Sequence, residues 1–198
     1  MRILIVVLSS FIWSNVLSQV EDCVLKKDSD KILVYTCKSE SERFKSLRAT
    51  FTISNTTVEE LLTFLKQVDR YTAWQYNMCS AKTLKVVSDS AIIVRTEIDA
   101  PWPVDNRELI VEYSFSQSSN KNLKVITKTL MFDYPFSENV VRVPFSHAEW
   151  DVEMVDNTLH VTYSMKIDPG GSVPAWLVNM AMADGPHQSF VKLKKLLE

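Results

Sequence analysis

Alternation of apolar and polar residues runs through most of the chain and predicts β-strands. Between 47 and 53, Leu, Ala, Phe and Ile alternate with Arg and Thr, as expected of a strand with one buried face. Similar segments continue to residue 167, separated by short turns rich in Ser, Asp and Asn. The predicted strands are 22–27, 31–38, 47–53, 82–87, 91–98, 107–117, 123–131, 140–145, 148–154 and 159–167.

A short helical segment is predicted directly after the third strand. Apolar residues at 58, 61, 62 and 65 recur at helical spacing. Thr57 stands at the N-cap position, where its side chain can accept a hydrogen bond from a free backbone N–H. Glu59 and Glu60 fall in the first turn, where they complement the positive end of the helix dipole. The pattern predicts a small helical insert over 58–71.

The longest helical segment closes the chain within residues 168–197. After a Gly-Gly turn, Ser172 stands at the N-cap position and Pro174 falls in the first turn, where a missing N–H costs little. Apolar residues then recur at helical spacing to Leu197. Pro186 removes one intrahelical hydrogen bond, so we expect a kink or weak point at Gly185 and Pro186. One long amphipathic helix after many strands must bury its apolar face on a sheet, which predicts an α+β domain.

The N-terminal 18 residues are predicted to be a signal peptide that does not belong to the fold. Arg2 precedes an apolar run too short to span a bilayer, and Ser18 offers a small residue before a predicted cleavage at Gln19. The alternative is a buried strand or an uncleaved anchor. The predicted domain therefore covers residues 19–198, and we expect an exported protein, periplasmic or secreted.

The predicted export bears on the three cysteines, because an oxidising compartment permits disulfides. Cys23 and Cys37 flank the turn of the first predicted hairpin at similar distances. They can face each other as a disulfide or remain two buried thiols, and the sequence leaves both possibilities open. Cys79 is expected to be a small residue of the core.

Composition and charge exclude several classes of function. The 198 residues suit one domain, and a net charge of −2 without basic runs argues against nucleic acid as a partner. No metal-ligand cluster with a recognised spacing is present. His147, His160 and His187 are scattered and do not form a catalytic spacing with Ser, Cys or Asp. The sequence therefore predicts no metal, no cofactor and no catalytic residue.

Three stretches carry a resemblance to a known family. They are YTAWQY at 71–76, APWPVDNREL at 100–109 and, above all, DPGGSVPAWLV at 168–178. In these, and in the order of predicted elements from 22 to 197, the chain resembles the START family of lipid-transfer domains. The resemblance implies a helix-grip fold, in which a curved antiparallel sheet wraps around the long C-terminal helix beside an apolar tunnel. Sterol-carrying members pair a buried arginine with a glutamate in the tunnel. Tyr113 stands where that arginine is expected, which argues against a sterol ligand.

The inward positions of the predicted strands and of the last helix define a predicted lipid-binding site. They combine large apolar side chains with a few hydroxyl groups, as ligand pockets do. The predicted lining residues are Tyr113, Phe115, Thr127, Trp150, Met154, Tyr163, Met165, Leu177, Met180, Ala181 and Asp184. Asp184 has two interpretations, since it can orient a polar group of the ligand or reach solvent near the kink. Without the resemblance, the same apolar stripes indicate an ordinary core.

The resemblance also places the loop 100–106 at the tunnel mouth, beside the first half of the last helix. Pro101 and Pro103 stiffen this loop. Trp102 between them suits either a membrane interface or a tunnel plug. Together with Gly185 and Pro186, these residues are predicted to form a gate that touches a membrane transiently. The alternative is a Trp102 packed permanently in the core.

These observations predict a monomeric carrier that binds a lipid or another hydrophobic small molecule in its tunnel and transfers it between membranes. One alternative is an enzyme, because the helix-grip superfamily includes cyclases that use the same tunnel as a reaction chamber. Another is a structural or interaction protein whose tunnel is filled by its own side chains.

Overall fold

Ten strands form one sheet in the parts of the chain that the computed structural model describes, residues 22–38, 45–135 and 139–198. They are β1 (Cys23–Ser29), β2 (Ile32–Cys37), β3 (Lys45–Ser54), β4 (Met78–Ser88), β5 (Ala91–Ile98), β6 (Asn106–Ser119), β7 (Asn122–Thr129), β8 (Val140–Arg142), β9 (Phe145–Val155) and β10 (Thr158–Asp168). Along the sheet the order is β1-β2-β3-β10-β9-β7-β6-β5-β4, and β8 pairs with β6. The predicted signal peptide at 1–18 lies outside the described residues.

Every strand predicted from alternation is present, and most boundaries differ from the predicted ones by one to four residues. β4 begins at Met78 and not at residue 82, and its pairing with β5 contains a bulge between Met78 and Ser80 that hides the alternation. β8 ends at Arg142 because Pro144 lacks the N–H that a strand needs, and the next residue opens β9. All pairings are antiparallel except that of β8, which runs parallel to β6.

The helical insert follows β3 as predicted. It consists of α1 (Val58–Lys66), a 3₁₀ turn (Val68–Arg70) and α2 (Tyr71–Trp74). The Thr57 hydroxyl accepts the N–H of Glu60 at 3.2 Å, and the Glu60 carboxylate accepts the N–H of Thr57 at 2.8 Å. This reciprocal pair is a capping box, which satisfies two backbone donors at the start of α1. The predicted cap at Thr57 is therefore confirmed.

The C-terminal helix, α3 (Ala175–Leu197), begins later than predicted. Pro174 has an extended backbone with ψ of 138° and is itself the N-cap, so the prediction of Ser172 at that position is wrong. Pro186 lies inside the helix, which continues through it as one element. No helix among the described residues has the length and apolar composition that crossing a bilayer requires.

The inner face of the sheet wraps around α3, which confirms the predicted helix-grip architecture. The Phe190 ring of α3 stacks on Phe51 of β3 with 4.5 Å between ring centroids. The same ring meets Trp150 of β9 edge-on at 5.5 Å and Tyr163 of β10 at 5.3 Å. This aromatic cluster joins three strands to the helix at the centre of the core.

The structure answers two questions about the cysteines, namely whether Cys23 pairs with Cys37 and whether Cys79 lies in the core. Cys23 and Cys37 are joined by a disulfide, because β1 and β2 pair them directly opposite each other. Cys79 is exposed, so its predicted place in the core is wrong. Met78 points inward instead, and at the bulge beside it Cys79 faces solvent, since a shift of one residue reverses the face of a strand.

A buried carboxylate ties together the strands next to the loop 100–106. Glu108 of β6 is 1% exposed and accepts hydrogen bonds from Arg95 of β5 and from Arg142 of β8, the latter at 2.7 and 2.8 Å. Burial by itself raises the pKa of Glu108, but the bonds from the two arginines outweigh it, so the pKa lies below its usual value of 4.5. Glu108 is therefore ionised at neutral pH.

Glu108→Gln should lower the free energy of unfolding at pH 7 by about 1.5–3 kcal/mol, the range for hydrogen bonds to charged groups. Because the pKa is depressed in the folded state, this stabilisation is present above the unfolded pKa of 4.5 and is lost as the pH falls through the lower folded value. Urea unfolding at about pH 7 and pH 3 should therefore show a difference between parent and variant that shrinks in acid. A difference independent of pH contradicts the prediction, and Glu153→Gln on the exposed side of β9 is the control.

Candidate functional site

A cavity of about 310 Å³ lies between the inner face of the sheet and the first half of α3. Strands β5, β6, β7, β9 and β10 contribute alternate residues to its wall, because every second side chain of a strand points to the same face. Most of the wall is apolar, and it includes Leu109, Val111, Val125, Ile167 and Val173. The volume is near the lower end of the range of ligand pockets, about 300–1,000 Å³.

Seven of the predicted lining residues border this cavity. They are Tyr113, Thr127, Trp150, Tyr163, Met165, Leu177 and Ala181. They come from four strands and from α3, so the helix-grip arrangement brings together side chains that are far apart in the sequence. The side chain of Met180 lies outside the described part of the structure.

Three predicted lining residues lie elsewhere. Phe115 and Met154 have the inward parity of their strands but lie beyond the end of the cavity, where α1 covers the sheet. Lys66 of α1 places its ammonium 5.5 Å from the ring centroid of Phe115. Asp184 turns away from the cavity and forms an ion pair with Lys27 of β1 at 3.0 Å. Asp184 therefore does not border this cavity, and Lys27 is the partner of its carboxylate.

Two neighbouring tyrosines, Tyr71 and Tyr113, lie at one part of the cavity wall. Tyr71 donates its hydroxyl proton to the carbonyl of Leu65 at 2.6 Å. Tyr113 lies beside Tyr71, with 5.7 Å between the two ring centroids, and Gln75 also borders the cavity. Burial raises the pKa of Tyr113, and its hydroxyl is neutral at physiological pH. The pair can orient one polar group of a ligand.

Tyr163 supplies a second hydroxyl with a weak partner. It donates to the thioether sulfur of Met165 at 3.4 Å, and thioethers are weak acceptors. Burial, together with the nearby Tyr113, raises the pKa of Tyr163. A carbonyl or hydroxyl group of a ligand would be a stronger acceptor for this proton than the sulfur.

Arg107 borders the cavity and was missed by the sequence-based prediction. Its side chain is 9% exposed, and its guanidinium donates to the backbone carbonyls of Asp105 and Gly170. The signal was present in the sequence, because Arg107 has the same strand parity as the inward residues Leu109 and Val111. A charged residue at an inward position is rare unless it has a partner or a function.

The exposed members of the lining mark the mouth of the cavity. They are Asn77 after α2, Asp99 and Pro101 in the segment between β5 and β6, and Ala181 on α3. Of the predicted gate residues, Pro101, Gly185 and Pro186 border the cavity, whereas Trp102 and Pro103 do not. Trp102 is 90% exposed, so it is not packed in the core.

A family model for the START domain matches residues 12–197. The chain belongs to the START domain family. This match begins inside the segment predicted as a signal peptide. The family explains the helix-grip sheet and the cavity under α3, and START domains of the lipid-transfer type support a hydrophobic ligand for this one.

Known proteins agree with this assignment. An uncharacterized protein of Pseudomonas aeruginosa is 27% identical over 181 residues, covering 90% of this chain and 88% of the relative. A crystal structure described as a STAR-related lipid transfer protein fragment from Xanthomonas axonopodis has a TM-score of 0.80 at 23% identity, covering 88% of this chain and 98% of that one. Human STARD10 has a TM-score of 0.75 at 19% identity, covering 87% and 71%. The two structures show the same fold.

The two halves of α3 are held differently in this START domain. Among the side chains that the structure describes, hydrogen bonds from other elements reach α3 only from Asp184 onward. His187 contacts the hydroxyl of Ser29 at 2.8 Å, and Ser189 accepts the N–H of Tyr76 at 2.9 Å. The described side chains of the half that covers the cavity are therefore held by apolar contacts, whereas those of the other half are anchored by polar contacts as well.

Tyr76 also explains the glycine at the centre of α3. A Cβ on Gly185 would lie 3.2 Å from the Tyr76 ring, so a larger residue would require the ring or the helix to move by a few tenths of an ångström. The close approach keeps the anchored half of α3 in place beside the cavity.

Metal-binding geometry is absent from the described residues, where no group of three His, Cys, Asp or Glu side chains is close enough to hold an ion. None of the three histidines borders the cavity, and His187 of α3 is directed to Ser29 of β1. His147 contacts Glu149 at 2.9 Å on the outer face, and His160 is exposed. The polar groups at the cavity are suited to hydrogen bonding with a ligand.

Proposed function

We propose that this START domain binds one molecule of a lipid or another hydrophobic small molecule in the cavity and carries it between membranes as a monomer. The single observation that supports the proposal best is the cavity itself, an apolar space with a few oriented hydroxyl groups beneath a helix. An apolar wall removes the hydrocarbon part of a ligand from water, while Tyr113 and Tyr163 can bind its polar part.

Export is part of the proposal. The leader pattern at 1–18 supports it, and the disulfide between Cys23 and Cys37 suits an oxidising compartment. Transport without chemical change is proposed as well, since the lining side chains are apolar or neutral hydrogen-bonding groups apart from Arg107 and the exposed Asp99. The compound recovered from the protein should therefore be the one that entered.

Native mass spectrometry of the exported protein, followed by lipid extraction, tests these statements together. We expect a mature chain that begins near Gln19 and carries one ligand, which denaturation releases. A preparation that is empty and does not take up a neutral long-chain probe such as oleyl alcohol would overturn the binding proposal. A chain that starts at Met1 would overturn the export proposal alone.

Ligand exchange requires an opening, and we propose that it lies between the loop 100–106 and the first half of α3. A hydrogen bond from the Val104 N–H to the Pro101 carbonyl at 3.2 Å closes the loop into a turn. That turn holds Pro101 at the rim and directs Trp102 outward. An exposed tryptophan has the amphipathic character that favours a membrane interface. Contact of Trp102 with a bilayer would bring the rim to the lipid, and the first half of α3 would move.

Trp102→Ala should slow the transfer of a fluorescent lipid between vesicles severalfold and leave the melting temperature nearly unchanged. The reason is that an exposed side chain contributes little to stability but would contribute to membrane contact. Val86→Ala is the matched control, because Val86 is an exposed apolar residue on the edge strand β4. A transfer rate equal to that of the parent would show that Trp102 has no part in the opening.

A further inference from the structure

Arg107 is the only basic residue among the cavity-lining residues that the structure describes. The one acidic residue among them, Asp99, is exposed at the rim. Arg107 opens β6 at the mouth end of the cavity, directly after the loop 100–106. It thus gives an otherwise apolar space a single positive end.

The partners of this guanidinium are all neutral. Its Nη1 donates to the Asp105 carbonyl and its Nη2 to the Gly170 carbonyl at 3.5 Å. Among the residues that the structure describes, no carboxylate forms an ion pair with Arg107. Arg95 and Arg142 differ, because both bind the buried Glu108. A guanidinium carries five N–H donors, so Arg107 has donors beyond these two bonds.

Burial makes this arrangement costly unless another charge compensates it. Removing a charged group from water without a counter-charge is unfavourable, and burial lowers the pKa of Arg107. The Asp105 carboxylate opposes this lowering of the Arg107 pKa only in part, because its side chain is exposed. An anion that entered the cavity would supply the missing negative charge.

The chain also brings small groups close to this guanidinium. An added Cβ on Gly171 would lie 3.9 Å from Nη2 of Arg107, and Gly170 and Gly171 both have positive φ, at 68° and 60°. The hydroxyl-bearing residues Thr96 of β5 and Ser146 of β9 also line the cavity. Farther along the cavity, Trp150 and Phe190 form an apolar end. A ligand with one anionic end and one hydrocarbon tail matches this polarity.

We propose that the cavity takes a single-chain amphiphile whose anionic head group, a carboxylate or a phosphate monoester, binds Arg107 while its tail lies along the apolar wall. This inference rests on the proposed function and names the class of ligand. Planar guanidinium groups bind carboxylates and phosphates through two parallel hydrogen bonds. A cavity of about 310 Å³ favours one hydrocarbon chain over two.

The parent protein provides the first test and needs no variant. Trp74 and Trp150 border the cavity, so their fluorescence should report the titration of a ligand. At about pH 8, oleic acid should bind at least about tenfold more tightly than oleyl alcohol, which has the same tail and no charge. Oleoyl lysophosphatidic acid separates the two anions, because tighter binding than that of oleic acid assigns the site to phosphate and weaker binding assigns it to carboxylate.

Substitutions of Arg107 then test whether this residue causes the preference for oleic acid over oleyl alcohol. Arg107→Gln keeps a donor for the Gly170 carbonyl and removes the charge, so the ratio of oleic acid to oleyl alcohol affinity should fall to near one. Arg107→Lys should retain part of the preference, since a lysine keeps the charge but loses the paired geometry. Arg48→Gln, on the exposed side of β3, removes the same charge outside the cavity and should leave the ratio unchanged.

The outcomes separate this inference from the proposed function. Equal affinity of the parent for oleic acid and oleyl alcohol, or an Arg107→Gln variant that weakens both probes equally, overturns the anionic head group and leaves the hydrophobic cavity standing. Failure of all three probes to bind overturns the proposed function and this inference with it. If Arg107→Gln does not fold, the comparison of oleic acid with oleyl alcohol in the parent protein still tests the anionic head group.

Discussion

Phe190→Ala should lower the free energy of unfolding by about 3–5 kcal/mol, the loss typical of a buried aromatic side chain truncated to alanine. The Phe190 ring is 3% exposed and contacts Phe51, Trp150 and Tyr163 on three different strands. Removing it would leave a cavity that the rigid sheet cannot close. It would also remove the main apolar contact between the anchored half of α3 and the sheet.

Urea unfolding followed by circular dichroism measures this effect. Leu196→Ala is the control, because Leu196 lies on the same helix with an exposed side chain and should change stability by about 0.5 kcal/mol or less. A loss below about 1 kcal/mol for Phe190→Ala would mean that the sheet holds α3 by other contacts and that the central role of this aromatic cluster is wrong.

Ala181→Trp should weaken the binding of oleyl alcohol by at least about a hundredfold, which corresponds to about 2.7 kcal/mol. Ala181 faces the cavity at its rim, so an indole ring there would occupy a large part of the 310 Å³ that the ligand needs. Stability should change little, since the new side chain enters open space and does not overpack a filled core.

The same probe titration checks this result, with the melting temperature measured in parallel. Gln188→Trp introduces the same side chain on an exposed position of α3 and should bind the probe as the parent does. If Ala181→Trp binds oleyl alcohol with the affinity of the parent, the ligand lies outside this cavity. A variant that is empty and also unfolded would instead mean that the first half of α3 cannot adjust to the larger residue.

These two substitutions test opposite halves of one helix. Phe190 lies in the half of α3 that is held by polar bonds from β1, from Tyr76 after α2 and from Thr56 before α1. Ala181 lies where the described contacts are apolar. A loss of stability at the first position and a loss of binding at the second would show that the helix combines an anchor with a movable cover.

Strand positions could be predicted from the sequence because their signal is local. Alternation along β10 and β3 needs only the parity of neighbouring residues, and one buried face imposes it. The Thr57 cap and the Gly-Gly turn before α3 are local as well. The resemblance to the START family predicted how these strands and helices are arranged in the helix-grip fold.

The extent of the cavity was decided by tertiary structure alone. Tyr113 and Phe115 share one face of β6, yet only the first borders the cavity, because α1 covers the second. The position of Asp184 depends on Lys27, which is 157 residues away in the sequence. No local pattern encodes contacts of that kind.

Irregular backbone explains two further differences between the predicted and the observed structure. A bulge in β4 reversed the face of Cys79, and the extended Pro174 delayed the start of α3. The sequence by itself therefore determined which residues form strands and helices and which parity faces inward. Only the packing of α1 and α3 on the sheet decided which of the inward residues border the cavity. The same packing leaves the charged side chain of Arg107 at the cavity wall.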